Sequence, residues 1–205
     1  NLNPFIFSFF VIPQTFSIDD YSIKTINVDY SLQKITAVLN LSDKESAENL
    51  LNCIQVKLNG SNVPFKINSD DQLSYNIVID SIPRDQNASN LIIICNGNSL
   101  GIKAMAEKNI EIPPFSEFKI IDCITHRYPE QSLSLIFSDP IDNRQDLGGL
   151  ISLNTNQILR FTIDGNMVNI YPNQMLIGNF TLNVYQGIKN TKGKKTTEVK
   201  EFAIY

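Results

Sequence analysis

The sequence predicts an all-β chain of two tandem β-sandwich domains, and three observations carry that reading. Short period-2 runs rich in Val, Ile, Phe and Tyr recur along it, separated by Asn, Asp, Gly and Ser clusters. The pair Pro113–Pro114 interrupts them near the middle, and such a pair continues neither a helix nor a central strand. The order of motifs before the pair then recurs after it. A length of 205 residues accommodates one large domain or two of about 100. The hydrophobic fraction of 42% suffices for one or two cores. Little Ala and few long charged residues weaken any helical reading.

The elements follow in order. "NLNPFIFSFFVIP", Asn1 to Pro13, has the apolarity of a signal-peptide core but neither the basic start nor the small-residue cleavage site. It reads as a first strand in which Phe5, Phe7 and Phe9 share a face and fill a core. Asn rather than Met at position 1 reads as a fragment or processed chain. "YSIKTINVDY" alternates through Ile23, Ile26 and Val28 with one slip, and "ITAVLNL" alternates cleanly. Ser42 to Cys53 is a short helix by pattern, with Ser42 or Asp43 as its cap and Glu45 following. "IQVKLNG", "YNIVID" and "NLIIIC" are further strands. "EIPPFSEF", Glu111 to Phe118, is a short stiff connector, giving domains 1–113 and 114–205. Leu133 to Phe137, "LSLIF", is a strand halted by Ser138-Asp139-Pro140. Pro140 holds Asp139 extended, so this triplet reads as a corner carrying the chain from one sheet to the other. "DLGGLI" is a second short helical candidate, and Gly148–Gly149 permits a tight return. "FTLNVY" and "FAIY" close the series.

The repeat is weak in identity but consistent in order. "ITAVLNLSDKESAENLLNCIQVKLNG" runs strand, Ser-Asp, a short stretch with a Leu pair, strand. "LSLIFSDPIDNRQDLGGLISLNTN" does the same roughly 95 residues later. "SYNIVIDSIPRDQNASNLIIICNGNSLG" and "MVNIYPNQMLIGNFTLNVYQGIKNTKG" each run strand, Pro-containing turn, strand, then a turn ending in Gly.

Few residues point to chemistry. A net charge of −4 and a pI near 5.0 argue against a nucleic-acid partner. No apolar run is long enough to span a bilayer. Cys53, Cys95 and Cys123 each sit in an apolar run, as small buried hydrophobes do. Three is odd, so at most one pair forms within the chain; a Cys53–Cys95 disulfide needs their strands to face one another, which the sequence leaves open. Their spacings do not suggest zinc. His126 is the only His, so a Ser-His-Asp or Cys-His site must use it. Cys123, three residues earlier, points to the opposite face of a strand. Asp19–Asp20 and Asp70–Asp71 read as solvated turns, with a loop calcium site as the functional counterpart. Lys189, Lys192, Lys194, Lys195 and Lys200 form either a patch for anionic glycans or lipids, or a hairpin turn in which Asn190 and Gly193 take positive φ and Lys blunts an edge. No Gly-rich phosphate loop is present. Asn40, Asn59, Asn87 and Asn179 match the N-glycosylation triplet, which matters only in a eukaryotic secretory setting. No catalytic, cofactor-binding or metal residue is assigned.

Read in order, "LSLIFSDPIDNRQDLGGLISL", "IDGNMVNIYP" and "LIGNFTLNVYQGIKNTKGKKTTE" resemble bacterial Ig-like domains. "QDLGGLI" and "FSEFKIID" after the Pro pair are similar to the N-terminal macroglobulin-type domains of bacterial alpha-2-macroglobulin-like proteins of the Bacteroides group. The match covers 115–205 well and the first half by order of elements alone. It implies two Ig-like, macroglobulin-type sandwiches in an exported, lipid-anchored periplasmic or cell-surface protease-inhibitor scaffold. Its partners would be other domains of the parent and, through the parent, host or bacterial proteases, with no nucleic acid and no direct membrane insertion. Thioester chemistry in that family needs Cys-x-x-Gln, and "CIQV", "CNGN" and "CITH" do not supply it. No bait region is visible, so the resemblance implies a non-catalytic structural module. An adhesion or glycan-binding module is the alternative.

Overall fold

The computed structural model describes residues 13–127 and 130–205. The strand expected over 1–12 lies outside them. Within the described residues the chain is all-β, with sheets of antiparallel strands, one five-residue α-helix, Ala47–Leu51 (α1), and one four-residue 3-10 helix, Gly97–Leu100. The first half contains β1 (Phe16–Thr25), β2 (Leu32–Leu41), β3 (Ile54–Leu58), β4 (Ser61–Asn62), β5 (Lys66–Asn68), β6 (Ser74–Pro83), β7 (Ser89–Asn96) and β8 (Met105–Ile112). The second contains β9 (Ile120–His126), β10 (Ser132–Phe137), β11 (Ile151–Leu153), β12 (Leu159–Asp164), β13 (Met167–Pro172), β14 (Phe180–Val184) and β15 (Lys200–Ile204).

Four sheets result, ordered β1-β2-β6-β5, β4-β3-β7-β8, β9-β10-β13-β12 and β11-β14-β15. With the two-residue β4 set aside, both halves have the same plan. One sheet runs first-second-fifth-fourth in chain order, the other third-sixth-seventh. Alternation decides which residues enter the cores. In β2, Ile35, Ala37 and Leu39 point inward, and in β7, Leu91, Ile93 and Cys95 do. One hydrophobic core draws on both sheets of the first half, and a second draws on both sheets of the second.

The Ser-Asp corner repeats at the level of hydrogen bonds. Ser42 donates its N–H to Thr15 O (3.2 Å), and its Oγ accepts from Thr15 N (2.8 Å). Ser138 donates its N–H to Lys119 O (2.9 Å), and its Oγ accepts from Lys119 N (3.0 Å). In each half this serine clamps the segment that leads into the first strand.

Several local expectations change. β1 ends at Thr25, so Val28 lies in the following turn, 90% exposed. Asp19–Asp20 sit in β1 at a bulge rather than in a turn. The helix starts late, because Ser46 rather than Ser42 or Asp43 caps it, accepting from Asn49 N. "DLGGLI" forms a turn, not a helix: Asp146 Oδ1 accepts from Gly148 N (2.8 Å), and Gly149 takes φ +80°.

β10 explains its own composition. Leu133, Leu135 and Phe137 enter the second core, whereas Ile136 joins Ile124 in the first. Both faces of the strand are covered, which is why it reads as a continuous apolar run. Ile136→Ala is expected to lower stability by about 2–5 kcal/mol, measured by urea unfolding. An effect within ~0.5 kcal/mol, as at an open surface, would contradict this placement.

Candidate functional site: the junction between the halves

β6 ends at Pro83, and the next residue, Arg84, points into the boundary between the halves. Its side chain is fully buried, at 0% exposure. Nη1 meets Asp139 Oδ1 at 2.5 Å. Nε donates to Pro113 O (3.2 Å), and Nη2 donates to Pro114 O (3.0 Å) and Glu117 O (2.7 Å). One guanidinium therefore holds the corner of the second half and the connector together. Asp139 is also satisfied on its other oxygen, where Asn190 Nδ2 donates to Oδ2 (2.7 Å). A planar five-donor group suits this task and a lysine does not.

Smaller contacts surround the pair. Gln33 Nε2 donates to Ser138 O (2.6 Å). Asn166 accepts from Thr25 N through Oδ1 and donates through Nδ2 to Phe137 O, both at 3.2 Å. Tyr21 donates its phenol proton to Asp122 Oδ2 (3.1 Å), where Lys108 also pairs (3.2 Å). Burial first, and then the Asp122 charge and hydrogen bond, push the Tyr21 phenol up. Lys192 lies 3.8 Å from the Tyr30 ring centroid and donates to Asp29 O, while Thr191 meets the Tyr30 hydroxyl. Lys194 donates to Ser116 O. Two lysines of the basic stretch thus dock onto the first half and the connector. Asn190 is not a positive-φ turn residue. Gly187 and Gly193 take those conformations, and Asn190 is buried, its Oδ1 accepting from Lys192 N and Lys194 N.

Elsewhere between the halves lies a polar cleft of ≈ 350 Å³, with Asp20, Thr36 and Asn76 on one side and His126, Asn169 and Tyr171 on the other. His126 Nε2 is 3.0 Å from Ser134 Oγ, and Nδ1 is 3.9 Å from Asp20 Oδ2. The outline is that of a Ser-His-Asp set, but the details differ. Ser134 is buried and directs its proton to Asn169 Oδ1 (2.7 Å), and the Asp20 contact exceeds hydrogen-bonding distance. The arrangement orients His126 without activating Ser134. Cys123 packs against the second core, away from the His126 cluster. Burial, followed by Asp122, pushes its thiol up to about 12.

Cys53, Cys95 and Cys123 are all free thiols. Cys53 immediately precedes β3, which pairs with β7 within one sheet, so Cys53 and Cys95 do not face each other across the core. Burial pushes the Cys95 thiol up to about 12, with Cys53 adding a smaller share. Among the described residues no group of three or more His, Cys, Asp or Glu is placed to hold a metal ion. A second, larger groove of ≈ 700 Å³ opens at the far end of the second half, walled by Arg127, Gln131, Met175, Ile177 and Tyr205.

Sequence reasoning placed the Ser-Asp-Pro corner but missed its partner. Arg84 follows Ile-Pro in a polar turn, and nothing local distinguishes it from a solvated arginine. Asn166 and Asn190 were hidden among the chain's many turn asparagines. No family model matches the chain, and no curated protein compared with it matches.

Removing one member of a buried pair strands the other. Arg84→Met and Asp139→Leu should each cost about 3–5 kcal/mol, while the double variant should cost less than their sum. Urea denaturation of all four proteins checks this. The thiols give a second test. At pH 8, Cys95 and Cys123 should resist Ellman's reagent in the native protein, and all three cysteines should react in guanidinium. Because the folded thiols titrate above their unfolded value of about 8.5, stability should fall as pH rises through and beyond about 8.5.

Proposed function

We propose that the chain is a non-catalytic structural segment, two Ig-like sandwiches held at a fixed mutual orientation. The strand order supports the sandwich reading. First-second-fifth-fourth facing third-sixth-seventh is the arrangement of the constant-type Ig domain. A radial, propeller-like grouping of four sheets would be built from blades of neighbouring strands; here β6 inserts between β2 and β5, and each core draws on two sheets. Apart from Ile124 and Ile136, which reach across from the second half, the buried members of the first core all precede Pro113 and those of the second all follow Pro114, which supports domains 1–113 and 114–205.

The observation that carries the functional reading is the burial of Arg84 against Asp139 and three connector carbonyls. Domain pairs within a chain move relative to one another by default. Enclosing a charge at the boundary stops that motion, because reorienting the halves would break the pair and leave both charges stranded. A fixed spacer is what a large exported scaffold needs. Together with the resemblance of 115–205, this supports placement in a bacterial alpha-2-macroglobulin-like envelope protein, periplasmic or at the cell surface. There the segment would set the distance and orientation of the protease-capturing part.

The polar cleft beside His126 favours one second reading, an adhesion or glycan-binding module, because its Asp, Asn, Thr and Tyr side chains are of the kind that hydrogen-bond sugar hydroxyls. The reading frame around this segment tests both. The scaffold reading expects a lipoprotein signal upstream and a Cys-x-x-Gln thioester segment far downstream. Sugar-binding or catalytic modules in their place, together with glycan-array binding lost in Asn76→Ala, would overturn it.

A further inference from the structure

A strand at the margin of an antiparallel sheet bonds its neighbour through every second residue and turns its other backbone groups outward. The long marginal strands β1, β8, β9 and β15 shelter one another, with β1 beside β8 and β9 beside both β8 and β15. β12 (Leu159–Asp164) is marginal too, and its extensive contacts are with β13 alone. Its counterpart in the first half is β5, three residues long, with Lys66 on it and α1 packed against it. Short length and a lysine are common protections of a sheet edge. β12 has neither. It runs six residues in unbroken register with β13 and contains no lysine, proline or bulge. The strand and its surroundings lie wholly within the described residues.

The register decides which groups face outward. Asp164 pairs with Met167 across the two-residue turn Gly165–Asn166, and Asn173 N donates to Ile158 O (3.0 Å) at the other end. Bonded positions therefore alternate through Ile158, Arg160, Thr162 and Asp164. Pro172, which has no N–H, stands opposite Leu159, where β12 requires none. The N–H and C=O groups of Leu159, Phe161 and Ile163 point away from β13, and no described residue bonds them. The side chains of these three residues are half-buried against the second core. Beside Phe161 and Ile163 is a slot of ≈ 300 Å³ walled by Asn143, Gln145 and Asp146 of the β10–β11 connection. Arg160, Thr162 and Asp164 occupy the other face and are exposed.

We propose that β12 is an interface strand whose partner is β12 of a second copy, joined antiparallel about a two-fold axis at Thr162. Parity limits the registers, because a residue with outward backbone groups must bond another of that kind. Centring on Thr162 meets this condition and bonds Phe161 to Ile163 of the second copy, and Ile163 to its Phe161. It sets Arg160 opposite Asp164 of the second copy, again twice, and Thr162 opposite its own equivalent. Aromatic with β-branched, opposite charges, and Thr with Thr are all favourable pairs across strands. Centring on Phe161 also satisfies parity, but it sets Arg160 opposite Thr162 and forfeits both ion pairs. Within one copy, Arg160 stands 3.7 Å from Glu130, with side chains 70% and 69% exposed, and its Cζ lies 4.9 Å from the Tyr171 ring centroid. An exposed pair of that length contributes little and does not hold Arg160 from a new partner. Asp164 has no ion-pair partner among the described residues.

The incoming Phe161 and Ile163 face the same side as the residues they pair with, which places them over the slot. Two four-stranded sheets thereby become one of eight strands, and the two β12 edges cover each other, so assembly closes at a dimer. A contact between two edge strands is small, and its dissociation constant falls roughly between micromolar and millimolar. This rests on the uncovered edge and its residue order and not on the parent's identity, so the scaffold reading and this one fail separately.

The test is sedimentation velocity of the intact chain from about 10 μM to about 1 mM, with amide hydrogen exchange at both ends of that range. The weight-average sedimentation coefficient should rise and level at a dimer. Exchange at Phe161 and Ile163 should slow as the dimer forms, and Thr162, already bonded to β13, should change less. Arg160→Asp and Asp164→Arg each set like charges opposite one another when the variant pairs with itself, and should weaken association about tenfold. An equimolar mixture of the two variants should associate again, because every altered position then faces the opposite charge. Both positions are exposed, so melting temperatures should not change, and the exchange pattern of the unaltered chain is a test that needs no variant. A monomer at every concentration would overturn the proposal. So would growth beyond a dimer, a dimer that leaves exchange at Phe161 and Ile163 unchanged, or a mixture no more associated than either variant alone.

Discussion

A buried arginine sets the terms for the rest of the molecule. Arg84 has no solvent to fall back on, so each of its donors needs a protein acceptor. Those acceptors are the Asp139 carboxylate, the connector carbonyls of Pro113, Pro114 and Glu117, and, more distantly, the carbonyls of Tyr30 and Ser138. Supplying them at once fixes the path of the connector and the placement of the second half. The double proline contributes by limiting the conformations the connector can adopt. It also offers carbonyls whose neighbouring ring nitrogens make no competing donation.

The corner that ends β10 has two duties. As a turn it carries the chain out of one sheet, with the Ser138 hydroxyl clamping Lys119, just as Ser42 clamps Thr15 in the first half. As a site it offers Asp139 to Arg84 and Asn190. The first duty is common to both halves. The second exists only where the pole is docked. The same Ser-Asp pair is a solvated corner in one place and the centre of an interface in the other, and the neighbouring pole decides which.

How much of this was legible in the sequence follows from the range of each interaction. Strands with one covered face were readable, because burial imposes period 2 on residues a few positions apart, as in Ile35, Ala37 and Leu39. β10 was readable as a strand, but not the reason for its unbroken apolarity, since Ile136 answers to the other half's core. Val28 misled because an exposed turn valine continues an alternation that the backbone has already left. The helix start was misplaced because Ser42 is bonded to Thr15, far upstream, leaving Ser46 to cap. The Arg84–Asp139 pair joins residues 55 positions apart, and neither end carries a local mark of burial. The internal repeat was the one long-range signal available, and it pointed to the corner without revealing its partner.

Residual dipolar couplings measured on the two halves of one weakly aligned sample, at a concentration low enough to keep the chain monomeric, test the central claim most directly. A fixed junction predicts that both halves report a single alignment tensor of the same magnitude and orientation, and that Asp139→Ala splits it into two. Two unequal tensors in the unaltered chain would mean that the halves reorient freely, and would contradict the account.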